Sequence, residues 1–253
     1  MSAVRTEEHG RILLVTIDRP EARNAINTAA AEGIAAALTE LDQRDDLSVG
    51  VLTGAGKGFC AGMDLKAFLA GERPAAEGRG FAGIVERPPA KPLIAAVEGF
   101  AVAGGFEIAL ACDLIVAAED AKFGLPEVRR GLLPGGGGLL RLPTRIPYAI
   151  ALEWILTGKL VTAREAHAAG LVNRLTETGS ALESALGLAQ EIARNAPLAI
   201  RAAKRIVVES PAWPPEEAFA RQAEIYEPVR SSQDAVEGAR AFTEKRAPDW
   251  RGA

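Results

Sequence analysis

The segment RILLVTI at 11–17 is almost wholly apolar and rich in β-branched residues, and Asp18-Arg19-Pro20 ends it. Residues 3–8 can pair with it as the other arm of a hairpin turning at His9-Gly10, which predicts an opening antiparallel pair. The apolar period then lengthens. Ile34, Leu38 and Leu41 recur at three- and four-residue steps, so a helix is expected from Thr28, its candidate cap, to about Arg44. The short apolar run at 48–53 lies beside glycine and suits a strand covered on both faces. Further runs at 92–97 and 113–118 make β-α-β order recur through the first half, the signature of an α/β fold. Between them, residues 71–90 hold Gly71, Pro74, Gly78, Gly80, Gly83, Pro88 and Pro89, a composition that predicts a mobile flap. From Pro147 onward helical periods dominate, over 148–157, 163–169, 180–194, 197–209 and 215–229, with only 171–175 strand-like. No internal repeat interrupts this order.

The stretch VEGFAVAGGFEIALACD at 97–113 organises the rest. A small-residue turn through Ala103, Gly104 and Gly105 opens an apolar helix with Glu107 in its first turn. Glycines there let the backbone approach a ligand, and the first amides of a helix lack internal partners and can stabilise an oxyanion. A second glycine-rich segment, GAGKGFCAGMDLKAF at 54–68, feeds a helix from about Asp64. It lacks the closing glycine-lysine-serine/threonine of a phosphate loop and the third glycine of a dinucleotide fingerprint, so both are set aside. Backbone amides near Gly62 and Met63 remain as candidates to face a cavity. A second acid, Glu127, follows Pro126 at another helix start, and Gly135 to Gly138 form a flexible turn into the next helix. Acids are also favoured at helix starts because they complement the dipole, so position alone leaves a structural role for Glu107 and Glu127 open.

Composition narrows the field. The 253 residues are 48% hydrophobic and 25% charged with a net charge of −4, ordinary for a globular protein and unfavourable for nucleic-acid binding. Two cysteines, Cys60 and Cys112, and no leader pattern point to a cytoplasmic protein. No apolar run reaches the ~20 residues of a membrane span. His9 and His167 lack the neighbours of a metal site, so no metal is expected. No serine occupies a nucleophile elbow, which leaves acyl-enzyme chemistry without a nucleophile. Arg23, Lys57, Lys66 and Lys245 read first as solvated charges.

Three ordered motifs, GAGKGFCAGMDL, GFAVAGGFEIALACDLIVA and AKFGLPEVRRGLLPGGGG, together resemble the enoyl-CoA hydratase/isomerase (crotonase) superfamily. Asp18-Arg19-Pro20 with Asn24-Ala25 resembles the family's opening turn, and FTEKRAPDW at 242–250 its terminal helix, so the likeness spans nearly the whole chain. The resemblance implies a spiral of ββα units over 1–195 and a C-terminal helical region over 196–253 that drives assembly into a trimer or a dimer of trimers. It implies an acyl-CoA thioester as substrate and no separate cofactor. On matching positions the amides of Met63 and Gly104 would form the oxyanion hole, with Glu107 and Glu127 as the acid-base pair. Ala61, Gly62, Asp64 and Leu65 would border the adenine or pantetheine arm, with Gly105 allowing close backbone approach. Arg23, Lys66 and, from a neighbouring subunit, Lys245 would meet the CoA phosphates. Phe106 and the sequence FGLPE add a likeness to the carnitinyl-CoA dehydratase branch, which leaves the substrate open, and chain length and branching preference are expected to be set by the 71–90 flap and the helical tail. With both acids present the resemblance implies an enoyl-CoA hydratase, a lyase that adds water reversibly to a 2-enoyl-CoA to give the 3-hydroxyacyl-CoA; an isomerase, which needs one acid, a carnitinyl-CoA dehydratase-like enzyme and a non-catalytic acyl-CoA-binding protein are the competing readings.

Overall fold

The computed structural model describes residues 2–253. Strands β1 (Val4–His9) and β2 (Ile12–Ile17) form the expected hairpin, in register from Val4 opposite Ile17 to His9 opposite Ile12. Every residue of β2 is buried, whereas β1 buries only Val4 and exposes Arg5, Glu7 and Glu8, charges that blunt a sheet edge. Helix α1 (Thr28–Gln43) buries Ala30, Ala31, Ile34, Ala37, Leu38 and Leu41. Its cap is Asn27, whose side chain accepts from the Ala30 amide at 3.0 Å, so Thr28 is the first helical residue and not the cap.

Parallel strands β3 (Val49–Gly54), β6 (Leu93–Val97), β8 (Leu114–Ala118) and β11 (Arg174–Thr176) extend the sheet in the order β1-β2-β3-β6-β8-β11. Both faces are covered. Helices α1 and α3 (Gly104–Ala111) lie over the larger core, while α7 (Ala181–Ala193) sets Ala185 and Ala189 against Val49, Val51, Ile94, Ala96 and Val116. This is why the strands read as continuous apolar runs. Helix α2 (Leu65–Leu69) is a single short turn capped by Asp64.

A second small sheet, β10-β9-β7, stands at the end of the first, built from β7 (Phe100–Val102), β9 (Lys122–Gly124) and β10 (Val161–Thr162). Gly99, at φ 55°, turns the chain from β6 into β7 where a Cβ would meet the Lys57 carbonyl oxygen at 2.1 Å.

The segment 71–90 is not a loose flap. It holds a minimal hairpin of β4 (Ala75–Ala76) and β5 (Gly80–Phe81), and Ala82, Ile84 and Val85 are buried in the larger core. Gly83 passes so close to α1 that a Cβ would lie 2.2 Å from the Ala31 carbonyl oxygen. Gly80 and Gly83 thus serve close packing, while Gly71 and Gly78 stand in open space.

Helices α4 (Gly138–Arg145), α5 (Tyr148–Thr157) and α6 (Ala163–Ala168) precede α7, and α8 (Pro197–Glu209), α9 (Ala218–Arg230) and α10 (Gln233–Glu244) follow it. Lys204 anchors α8, donating to the carbonyls of Pro89 (2.8 Å) and Lys91 (2.9 Å) and to Asp113 (2.6 Å). Of the terminal motif FTEKRAPDW only Phe242 to Glu244 are helical, because Lys245 takes a left-handed φ of 54° and ends α10. Among the described residues no helix is long and apolar enough to cross a membrane.

Candidate active site

Two loops meet at the start of α3. The first, from Gly58 to Asp64, is held from behind by Asn24, buried to 1% exposure, whose amide donates to the carbonyls of Gly58 (2.7 Å) and Ala55 (2.8 Å). Its carbonyl accepts from the Arg19 amide at 3.0 Å. A parallel bridge then pairs Ile26 with Met63. In that geometry Ile26 bonds to the flanking Gly62 carbonyl (2.8 Å) and Asp64 amide (2.9 Å), so the Met63 amide has no backbone acceptor among the described residues.

The second loop is the turn into α3. Ala103, its cap, has φ 52° and ψ −130°, a conformation costing a non-glycine residue about 1–3 kcal/mol and concentrated at functional sites. Its amide is fixed to the Gly124 carbonyl at 2.9 Å, and the next amide, of Gly104, is the first of the helix and has no internal acceptor. The loops touch: a Cβ on Gly62 would lie 3.0 Å from the Gly104 nitrogen, and one on Gly105 would lie 2.1 Å from the Cys60 carbonyl oxygen. The loop that carries the free Met63 amide is thus packed against the first amide of α3, that of Gly104.

Glu107 lies one turn into α3 and is 3% exposed. Its Oε1 accepts from the amides of Gly136 (2.7 Å) and Gly138 (2.9 Å). Gly136 passes so near that a Cβ there would stand 2.7 Å from Oε2. Burial pushes the Glu107 carboxyl above its ordinary value, against the two amides and Arg141, which favour the ionised form.

Glu127 stands in a 3-10 turn, Pro126–Arg130, opened by proline. It is half-buried, and its Oε2 is a buried oxygen without a hydrogen-bond partner among the described residues. Burial raises its pKa and the nearby charge of Glu107 raises it further. Burial raises both carboxyl groups, but at Glu107 two amides and a guanidinium oppose it, whereas at Glu127 the charge of Glu107 adds to it, a difference in the sense that separates a base from an acid.

Other predicted positions fall differently. Arg23 is exposed at a left-handed φ of 56°, its guanidinium 4.8 Å from the centre of the Phe100 ring. Asp64 is occupied in structure, accepting from the amides of Lys66 (3.0 Å) and Ala67 (3.2 Å) and from Arg19 (2.9 Å). Burial works to raise its pKa, but the Ala67 amide and Arg19 outweigh it and hold the carboxyl below its ordinary value. Ala61 and Gly62 lie in the loop itself, with Gly62 buried; Leu65 and Lys66 are exposed on the first turn of α2, and Lys245 is exposed at the end of α10. Phe106 is turned into the larger core. It is 1% exposed and packs on Phe123 with ring centres 5.4 Å apart, on the core side of α3. Among the described residues no cluster of His, Cys, Asp and Glu is arranged to hold a metal ion.

Sequence reading misses Asn24, Arg19 and Arg141 as supports of the site. A signal existed for the first, an asparagine between charged residues and the apolar Ala25-Ile26 where the turn must be buried, but nothing in the spacing marks Arg141.

Comparison with known proteins gives the family and the fold. Residues 7–253 match the family model of enoyl-CoA hydratase/isomerase, and the chain belongs to that family. It is 45% identical over 252 residues to the carnitinyl-CoA dehydratase of Salmonella typhi, covering 96% of each. Among solved structures it is similar to an enoyl-CoA hydratase from Mycobacterium tuberculosis H37Rv, with a TM-score of 0.98, 58% identity and full coverage of both chains. It is also similar to a carnitinyl-CoA hydratase from Mycobacterium avium, with a TM-score of 0.80 and 43% identity, again over both full chains. The fold is therefore the α/β crotonase fold that the sequence resemblance implies.

Proposed function

We propose that the protein is a hydro-lyase acting on acyl-CoA thioesters, adding water reversibly to a 2-enoyl-CoA to give the 3-hydroxyacyl-CoA. The observation that carries this reading is the pair of unlike carboxyl groups, Glu107 fixed by two amides and Glu127 with a buried, unpartnered oxygen. A water held between them is deprotonated by Glu107 as its oxygen bonds to the β-carbon, and the electron pair of the double bond moves through the α-carbon onto the thioester oxygen. The amides of Met63 and Gly104 stabilise that enolate, each such donor being worth about 3–4 kcal/mol in comparable sites. Glu127 then gives its proton to the α-carbon. In reverse the same groups dehydrate the hydroxyacyl thioester. An isomerase moves one proton and leaves the second carboxyl without a task.

Coenzyme A enters as part of the substrate, and no further cofactor is required. Ala61, Gly62, Asp64 and Leu65 border its pantetheine arm, Asp64 by shaping the turn, with Gly105 allowing close approach. Arg23 and Lys66 are the candidate phosphate contacts, joined by Lys245 of a neighbouring subunit in a trimer or dimer of trimers.

A second substrate reading has its own support in the relatives named for carnitinyl-CoA. That thioester carries a quaternary ammonium group on the β-hydroxy chain, and its dehydration uses the same carboxyl pair. The test is the loss of conjugated-thioester absorbance with crotonyl-CoA, a longer 2-enoyl-CoA and the trimethylammonium-bearing crotonyl thioester, beside Glu107→Gln and Glu127→Gln. Turnover that falls ~100-fold or more in each variant supports the two-acid mechanism, and the preferred thioester decides between the substrates. Tight thioester binding with no turnover of any of them defeats the proposal in favour of a binding protein.

A further inference from the structure

The carboxylate of Glu107 is held by a glycine turn that α4 anchors at one end only, through the Gly137 carbonyl, which accepts from the amides of Leu140 (3.1 Å) and Arg141 (2.9 Å). Gly135 to Gly138 carry no side chains, Gly137 sits at φ 89°, and Gly135 is exposed with nothing within 4 Å of where its Cβ would be. A run of four glycines has the greatest backbone freedom available to a chain, so two amides aimed at one oxygen must be fixed from outside. The fixing group is in the next turn of α4. The Arg141 guanidinium folds back over the glycines, donating from Nη1 to the Gly136 carbonyl at 3.4 Å and from Nη2 to the Val85 carbonyl. It lies so close that a Cβ on Gly137 would meet Nη1 at 2.3 Å. Val85 belongs to the buried stretch after β5, so the guanidinium ties the turn to the core.

We propose that Arg141 is a positioning residue for Glu107: by bridging Gly136 to Val85 it fixes the amides that orient the carboxylate, and it sets a positive charge behind them. Gly136 is the joint of the device, since its amide serves Glu107 and its carbonyl serves Arg141. Arginine suits the role because its fork reaches two carbonyls in fixed geometry and stays charged when half-buried, which lysine does less well. The charged and titratable groups around the pair are Glu127 and Arg130 on the 3-10 turn, and Arg145 and Cys112 behind Arg141. Arg145 is itself engaged by the carbonyls of Cys112 and Asp113. Arg141 is thus the cation that acts on Glu107 directly.

The inference rests on the reading of Glu107 as the base, but its test does not depend on turnover. In protein carrying carbon-13 glutamate, the Glu107 carboxyl signal is identified by its absence in Glu107→Gln, and its titration is followed in wild type and Arg141→Met, together with hydrogen exchange of the Gly136 and Gly138 amides. The expected result is a folded variant in which the Glu107 midpoint rises by about one pH unit or more and both amides exchange at least ~10-fold faster. With a turned-over thioester, kcat falls ~10-fold or more while KM stays within about threefold, and Arg141→Lys recovers part of the loss. Should Arg141→Met fail to fold, Arg141→Lys is read in its place: it keeps the charge but reaches one carbonyl, so faster amide exchange is expected with a smaller titration shift. A folded variant whose Glu107 midpoint and glycine exchange match wild type overturns the proposal. Wild-type protein that turns over no thioester would defeat the hydratase reading, while the titration and exchange still decide the role of Arg141.

Discussion

Replacing Gly105 by alanine probes the contact that brings the two free amides together. The new Cβ would stand 2.1 Å from the Cys60 carbonyl oxygen and 2.7 Å from its carbon, where carbon-oxygen contacts ordinarily begin at about 3.3 Å. The backbone of α3 or of the 58–64 loop must therefore retreat by roughly 1 Å, and no side chain can yield in its place. Overpacking of this kind costs about 1–3 kcal/mol, with a backbone clash at the upper end. The gain in helix propensity returns at most about 1 kcal/mol. A net loss near 2 kcal/mol lowers the melting temperature by about 4–8 °C in a chain of this size. The same retreat separates the Met63 and Gly104 amides, and a misplacement near 1 Å costs about 100-fold in rate. Gly104→Ala is the control, because its Cβ meets the Phe81 ring at 2.7 Å, a side chain able to turn aside. Scanning calorimetry and the hydration assay are run on both. A Gly105→Ala protein that melts with wild type and keeps full activity would refute the claim that this packing sets the donors.

Glu107→Gln and Glu127→Gln should each inactivate the enzyme yet stabilise it at neutral pH. Burial raises both carboxyl pKa values above the unfolded 4.5, so the folded state holds these protons longer and loses stability as pH rises through the raised values. Urea midpoints are expected to favour the glutamine variants at pH 7 and to converge with wild type near pH 4; an advantage independent of pH would contradict the burial argument. Asn24→Ala leaves the buried Gly58 carbonyl and the half-buried Ala55 carbonyl without their donor, and a loss of about 3 kcal/mol is expected by urea unfolding, with a fall in kcat as the 58–64 loop loosens. A loss below ~1 kcal/mol would show that the turn is held by other bonds.

The parts of the site legible in the sequence are those fixed by local rules. A glycine pair before an apolar helix, an acid in its first turn and a proline-led second acid follow from helix-end chemistry, and three such motifs in order carry the family resemblance. What the sequence hides is long-range. The packing of 82–85 under α1 turns a glycine-rich stretch from a flap into core, since glycine serves close approach as well as freedom. The side of α3 that Phe106 faces depends on the Phe123 strand arriving from elsewhere. Strand β7 is too short for a period of two to register, and Arg141 acquires its meaning only when Val85 and Gly136 are brought to it across the fold.

The central claim is that Glu107 and Glu127 act on one water. Incubating a 2-enoyl-CoA with the protein in deuterated, oxygen-18 water and analysing the product by mass spectrometry and NMR tests it most directly. The expected product carries oxygen-18 on C3 and one deuterium on C2, with both labels lost together in Glu107→Gln and in Glu127→Gln. A double bond moved along the chain, with deuterium incorporated and no oxygen-18 in the product, would contradict it.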